Sequence, residues 1–145
     1  MAFKSIAIGS DHAGFDLKVK LADELRSSGY EVQDLGTNDG SSSVDYPDFG
    51  KAVAEAVTAG KADGGVIVCG TGIGISIAAN RHPGIRAALC HDVTMARLCR
   101  EHNDANVLAL GARLIGDVVA ADCLHAFLNT EFAGDRHVRR VEKLG

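Results

Sequence analysis

Apolar and polar positions follow two rhythms along this chain: short continuous apolar runs, and longer stretches with an apolar residue every third or fourth position. FKSIAIG (3–9), GGVIVCG (64–70), RAALC (86–90) and NVLALG (106–111) carry the first rhythm and predict strands, and YEVQDLG (30–36) reads as a further strand. GGVIVCG is apolar throughout, as expected of a central parallel strand covered on both faces. The second rhythm predicts a helix over 14–28, with Leu17, Leu21 and Leu25 as its stripe and Gly29 as its stop. Pro47 opens another, striped by Phe49, Val53 and Val57 and stopped at Gly60. GTGIGISIAANR turns directly into a third helix, and Asp92 can N-cap a fourth that runs to His102. Residues 117–129 form a fifth, with Ala120, Leu124 and Phe127 on one face. TNDGSSSVDY is the longest polar loop. The final FAGDRHVRRVEKLG is polar and basic without an apolar stripe, and predicts an arm outside the core.

Strands alternating with helices imply parallel pairing through right-handed crossovers. The expected architecture is α/β: a three-layer α/β/α sandwich around a five-stranded parallel Rossmann-like sheet, with a C-terminal basic arm. No repeat or linker divides the chain, so residues 1–145 read as a single domain.

Composition narrows the function classes. The chain has 145 residues, 46% of them hydrophobic and only 5% aromatic, so its core rests on Ala, Val, Ile and Leu. A net charge of −4 argues against nonspecific nucleic-acid binding, which needs basic patches. No apolar run approaches the roughly 18 residues of a membrane span, and the N-terminal stretch is too short for a signal peptide. The expected location is therefore cytoplasmic. Cys69, Cys90, Cys99 and Cys123 form no C-x-x-C pair, and no zinc motif accompanies them. Neither a metal nor a cofactor is expected. Cys90, Cys99 and Cys123 read as small buried apolar residues.

Ligands of open α/β sheets bind at the carboxyl ends of the strands. That rule directs attention to Ser10–Gly14 after the first strand, Cys69–Gly74 after the third, His91-Asp92 after the fourth and Gly111–Arg113 after the fifth. In GTGIG, three glycines at a strand-to-helix turn let backbone N–H groups converge on an anion. No Gly-Lys-Ser/Thr follows, so this is not a Walker loop. It is also an imperfect dinucleotide fingerprint, since the third glycine comes one position early, although Asp92 lies 20 residues after Gly72. The alternative is that the glycines serve tight strand–helix packing alone. Cys69 directly precedes this turn, and a helix N-terminus lowers a thiol pKa from its usual value of about 8.5. Taken alone, it would pass for another buried structural cysteine. Arg136 and Arg140, four residues apart, would point the same way on a helical arm and suit a phosphate dianion, or else form a solvated basic tail. His102-Asn103 closes the fourth helix, at the opposite edge of the sheet from these loops.

With these residues assembled, the chain resembles the type B ribose-5-phosphate isomerase family, which includes isomerases of other aldose phosphates. The matching motifs are GSDHAG (9–14), DYP (45–47), VCGTGIGISIAAN (68–80), GIRA (84–87), REHNDANVLALGAR (100–113) and GDRH with Arg140. They appear in order over essentially the whole chain. The resemblance implies that Cys69 moves a proton between C2 and C1 of the sugar. It implies that His102, supplied by a neighbouring subunit, opens the furanose ring. Backbone N–H groups of Gly70, Thr71, Gly72, Ile73 and Gly74 would hold the enediolate oxygens. Asp11 would contact sugar hydroxyls or shuttle protons, and Asn103 would bind the sugar. Thr71 would hydrogen-bond the thiol, and Tyr46 would line the pocket. His12, Arg113, Arg136 and Arg140 would bind phosphate. A branch of the family places a glutamate base at the position of Ile75; the pairing of Ile75 with Cys69 resembles the cysteine branch. A shared site implies a homodimer, or a tetramer. Ribose 5-phosphate is the expected substrate in the pentose phosphate pathway. Allose 6-phosphate, galactose 6-phosphate, a tetrose phosphate, a noncatalytic sugar-phosphate-binding protein and a dinucleotide-binding module are the competing readings.

Overall fold

The structure is a computed structural model that describes residues 3–145. Its elements alternate as the two rhythms require: β1 (Ser5–Ser10), α1 (Phe15–Ser27), β2 (Glu31–Asp34), α2 (Tyr46–Thr58), β3 (Gly64–Cys69), α3 (Ile73–Asn80), β4 (Ala87–Leu89), α4 (Val93–Asn103), β5 (Val107–Gly111), α5 (Asp117–Asn129) and α6 (Arg136–Glu142). The five strands form one parallel sheet in the order β2-β1-β3-β5-β4. The chain leaves β1 toward one edge and resumes at β3 on its other side. The carboxyl ends of β1 and β3 therefore border the crevice where strand order reverses.

Side-chain alternation along the strands separates two cores. Ile6, Ile8, Val66, Val68, Leu108 and Leu110 face α1, α4 and α5, where Leu17, Leu21, Leu25, Leu124 and Phe127 meet them. Ala7, Ile67, Cys69, Val107 and Ala109 face α2 and α3, against Val53, Ala54, Ile75 and Ala79. Predicted stops and caps fall where expected. Gly29 and Gly60 take positive φ after α1 and α2, and Asp92 Oδ1 accepts from the Met95 N–H at 2.8 Å to cap α4. Asp45 precedes α2, so that helix opens one residue ahead of Pro47. β2 and β4 are shorter than the segments expected to form them, being the edge strands of the sheet.

The C-terminal arm holds more structure than its composition suggests. Residues 136–142 form α6, which packs on α4, and the Ala133 N–H donates to the Glu101 carbonyl at 3.0 Å. Its buried contact is the imidazole of His137 rather than an apolar stripe. No helix among the described residues is long and apolar enough to cross a membrane.

Candidate active site

Cys69 closes β3, and its side chain lies in the α2/α3 core with 4% exposure. The chain then turns through Gly70-Thr71-Gly72 into α3. Gly72 has φ +78°, a left-handed conformation that aims its N–H back at the strand, and that N–H donates to Cys69 Sγ at 3.2 Å. An N–H directed at sulfur, at the positive end of a helix, stabilises negative charge on it. The other cysteines make different contacts. Cys90 Sγ and Cys99 Sγ point at the carbonyls of Ala88 and Ala96, which need the thiol proton as donor. A hydrogen bond with Cys99, then burial, pushes the Cys90 thiol well up. Burial pushes Cys123 up to about 11. Of the four, Cys69 is the one whose sulfur accepts a backbone hydrogen bond.

Close backbone approach shapes the turn. A Cβ on Gly72 would lie 2.8 Å from the Leu110 carbonyl carbon and 2.5 Å from Leu89 Cδ1. A Cβ on Gly111 would meet the Thr71 carbonyl oxygen at 2.5 Å. Gly72→Ala is expected to cost about 2–4 kcal/mol, from the left-handed backbone plus overpacking, and to lower the melting temperature accordingly. A thermal melt indistinguishable from the parent would contradict this reading of the turn.

Two neighbouring loops are tied to the same strand end. The Asp11 N–H donates to the Val68 carbonyl at 3.3 Å; the Ala112 and Arg113 N–H groups donate to the carbonyls of Cys69 and Gly70, each at 2.9 Å. Asp11 is buried, and its Oδ1 accepts from the Gly14 N–H at 3.0 Å, leaving Oδ2 for a ligand hydroxyl. The Arg113 guanidinium lies over Gly70, with Nη1 3.2 Å from where a Cβ would stand. The Tyr46 ring lies over Gly74 in the same way, at 2.6 Å. His12 Nδ1 accepts from the Val44 N–H at 3.1 Å, so a neutral ring carries its proton on Nε2 and offers a donor to an anion. Thr71 Oγ1 accepts from the Ile73 N–H at 3.2 Å, which leaves its hydroxyl hydrogen for another acceptor. Ile75 is fully buried in the α2/α3 core.

The remaining candidates lie elsewhere. His102 and Asn103 end α4, just before β5 begins at Val107. Val107 pairs with Gly65 at the amino end of β3, whereas Cys69 pairs with Gly111 at its carboxyl end. Those four steps span roughly 13 Å of strand. Arg136 and Arg140 stay with His102, on exposed positions of α6 against α4. One chain thus assembles Asp11, His12, Tyr46, Cys69–Gly74 and Arg113 at one end of the sheet. It assembles His102, Asn103, Arg136 and Arg140 at the other.

The His102 turn is rigidly built. Asp104 takes φ +47° and accepts from Arg86 Nη2 at 3.4 Å and Arg100 Nη1 at 2.9 Å. Arg100 is buried beneath the rings of Phe3 and Phe127 and also donates to the carbonyls of Ala105 and Thr130. The candidate residues did not include His137, whose ring stacks on His102 with centroids 4.4 Å apart and planes at 15°. Its signal in the sequence is its place between the two arginines in GDRHVRR.

The sequence profile described as Ribose/Galactose Isomerase matches residues 6–144. The chain belongs to the ribose/galactose isomerase family. It is 48% identical to ribose-5-phosphate isomerase B of Escherichia coli K12, over 97% of this chain and 94% of that one. The structure of ribose-5-phosphate isomerase B from Clostridium thermocellum superposes with a TM-score of 0.96 at 57% identity, covering 97% and 95% of the two chains. D-erythrulose-4-phosphate isomerase of Pectobacterium atrosepticum is 44% identical over 97% of this chain and 93% of its own. Membership of this family makes the chain an isomerase of sugar phosphates. The family's members differ in the sugar.

Proposed function

We propose that this chain interconverts ribose 5-phosphate and ribulose 5-phosphate, in a site made by two copies of itself. The observation that carries the reading is the Gly72 N–H donated to Cys69 Sγ at the head of α3. Isomerisation requires a base at C2, donors for the oxygens that gain charge, and an anchor for the phosphate. Cys69 removes the C2 proton of the open-chain aldose, and the electron pair moves into an enediolate. Its oxygens receive N–H groups of the turn that the thiol and the Thr71 hydroxyl leave open, those of Gly70, Thr71 and Gly74. The proton returns from Cys69 to C1, while a proton passes from O2 to O1 beside Asp11 and Thr71. Tyr46 bounds the pocket over Gly74.

The second copy supplies what the first holds at its far end. Its His102 opens the furanose by moving a proton between the ring oxygen and the anomeric hydroxyl, and its Asn103 binds the sugar. Phosphate is held by His12, Arg113, Arg136 and Arg140. The exposed Ile73 and Ile77, one turn apart on α3 beside the catalytic turn, give a second copy an apolar face to cover. A phosphorylated sugar is a metabolite of the cytoplasm, which is the working compartment in this reading.

The test is an assay of the purified protein against ribose 5-phosphate, allose 6-phosphate, galactose 6-phosphate and erythrose 4-phosphate, following ketose formation. Turnover fastest with ribose 5-phosphate is expected; preference for another sugar would reassign the substrate, and none would leave a binding protein. Arg136→Ala and Arg140→Ala are each expected to raise KM about tenfold or more, with a smaller fall in kcat, because a phosphate anchor contributes mostly uniform binding. A loss confined to kcat would remove both arginines from the phosphate site.

A further inference from the structure

We infer that His137 is a positioning residue for ring opening: its imidazole, stacked face to face on His102, fixes the plane in which His102 meets the sugar. The inference rests on the proposed role of His102 as the acid and base that opens the furanose. An imidazole at the end of a helix can turn about two side-chain bonds, and general acid–base catalysis fails unless a ring nitrogen reaches the moving proton. In most such sites a third group orients the imidazole through a hydrogen bond. Among the described residues no hydrogen bond holds either ring nitrogen of His102, and the stack with His137 is its ring contact.

The supporting ring is itself held. His137 is 7% exposed, its N–H donates to the Gly134 carbonyl, and Ala133 ties the start of α6 to Glu101 on α4. Its charged form is also disfavoured. Burial, Arg136, His102 on α4 and Arg140 hold its pKa below the ordinary histidine value, and only Asp135 opposes them. A neutral ring can therefore back His102 in both of its protonation states, where two stacked imidazolium ions would repel. Because His137 stands between Arg136 and Arg140, α6 joins the phosphate anchor and the ring-opening imidazole into one body. The distance from the phosphate to the ring oxygen is then set by the fold.

The test compares His137→Ala and His137→Phe with the parent, once thermal melts confirm that each is folded. His137→Ala is expected to lower kcat for ribose 5-phosphate about ten- to hundredfold, with a smaller change in KM, as for a misplaced catalytic group. His137→Phe retains a flat ring and is expected to recover most of that loss. A second readout isolates the step. Ribulose 5-phosphate cannot close a furanose ring, because its O5 carries the phosphate, so exchange of its C1 proton in D2O needs Cys69 but no ring opening. That exchange should fall far less than net isomerisation in His137→Ala. A His137→Ala enzyme with unchanged kcat, a His137→Phe enzyme as slow as His137→Ala, or an equal fall in exchange would overturn the inference. Full isomerase activity in His102→Ala would instead overturn the ring-opening reading beneath it, and the inference with it.

Discussion

Cys69→Ala is expected to reduce the isomerisation rate by about 10³-fold or more while leaving a folded protein, because it removes the proposed base, the group assigned to carry the proton from C2 to C1. The truncation deletes a single small buried sulfur, so its cost in stability should stay near ~1 kcal/mol. Cys69→Ser is expected to be nearly as inactive, since a hydroxyl in the same place is far harder to ionise than a thiol. The other cysteines provide the contrast. Cys123→Ala removes a fully buried sulfur from the α5 core, so it should lower the melting temperature and leave kcat almost unchanged. Cys90 belongs to the same class, its thiol donating to a carbonyl rather than accepting an N–H. Steady-state kinetics beside thermal melts check all of these at once. A Cys69→Ala enzyme with parental turnover would place the base elsewhere.

Much of this frame can be read in the sequence because its signals are local. The apolar runs that become β1, β3 and β5 are buried along nearly their whole length, so burial and periodicity coincide. The Leu17, Leu21 and Leu25 stripe, the Asp92 cap and the Gly29 and Gly60 stops each depend on a few neighbouring residues. The turn after β3 is legible for the same reason, and GTGIG announces a close approach that the Gly72 contacts bear out.

What escaped the sequence depends on partners far away along the chain. Lys18 is buried beside Asp34 and the Thr37 carbonyl, and Arg100 beneath Phe3 and Phe127, although both are residues expected at the surface. The tautomer of His12 is set by Val44, a residue 32 positions away. α6 spans only seven residues and presents an imidazole as its buried contact, so hydrophobic periodicity had nothing to detect. The separation of His102 from Cys69 follows from α4 running back antiparallel to the sheet, yet its magnitude needed the register of β3 against β5.

That separation makes the two-copy site the central claim, and subunit complementation tests it most directly. In a shared site, Cys69 of one copy works with His102 of the other. A Cys69→Ala chain paired with a His102→Ala chain then forms one site lacking both groups and one site with both intact. The two inactive variants are mixed in equal amounts, unfolded and refolded together, and assayed for ribose 5-phosphate isomerisation. Random pairing makes half of the dimers mixed, so recovery of about a quarter of parental activity is the predicted result. A mixture as inactive as its two components, in material shown to have exchanged subunits, would mean that each chain builds its site alone and would contradict the account.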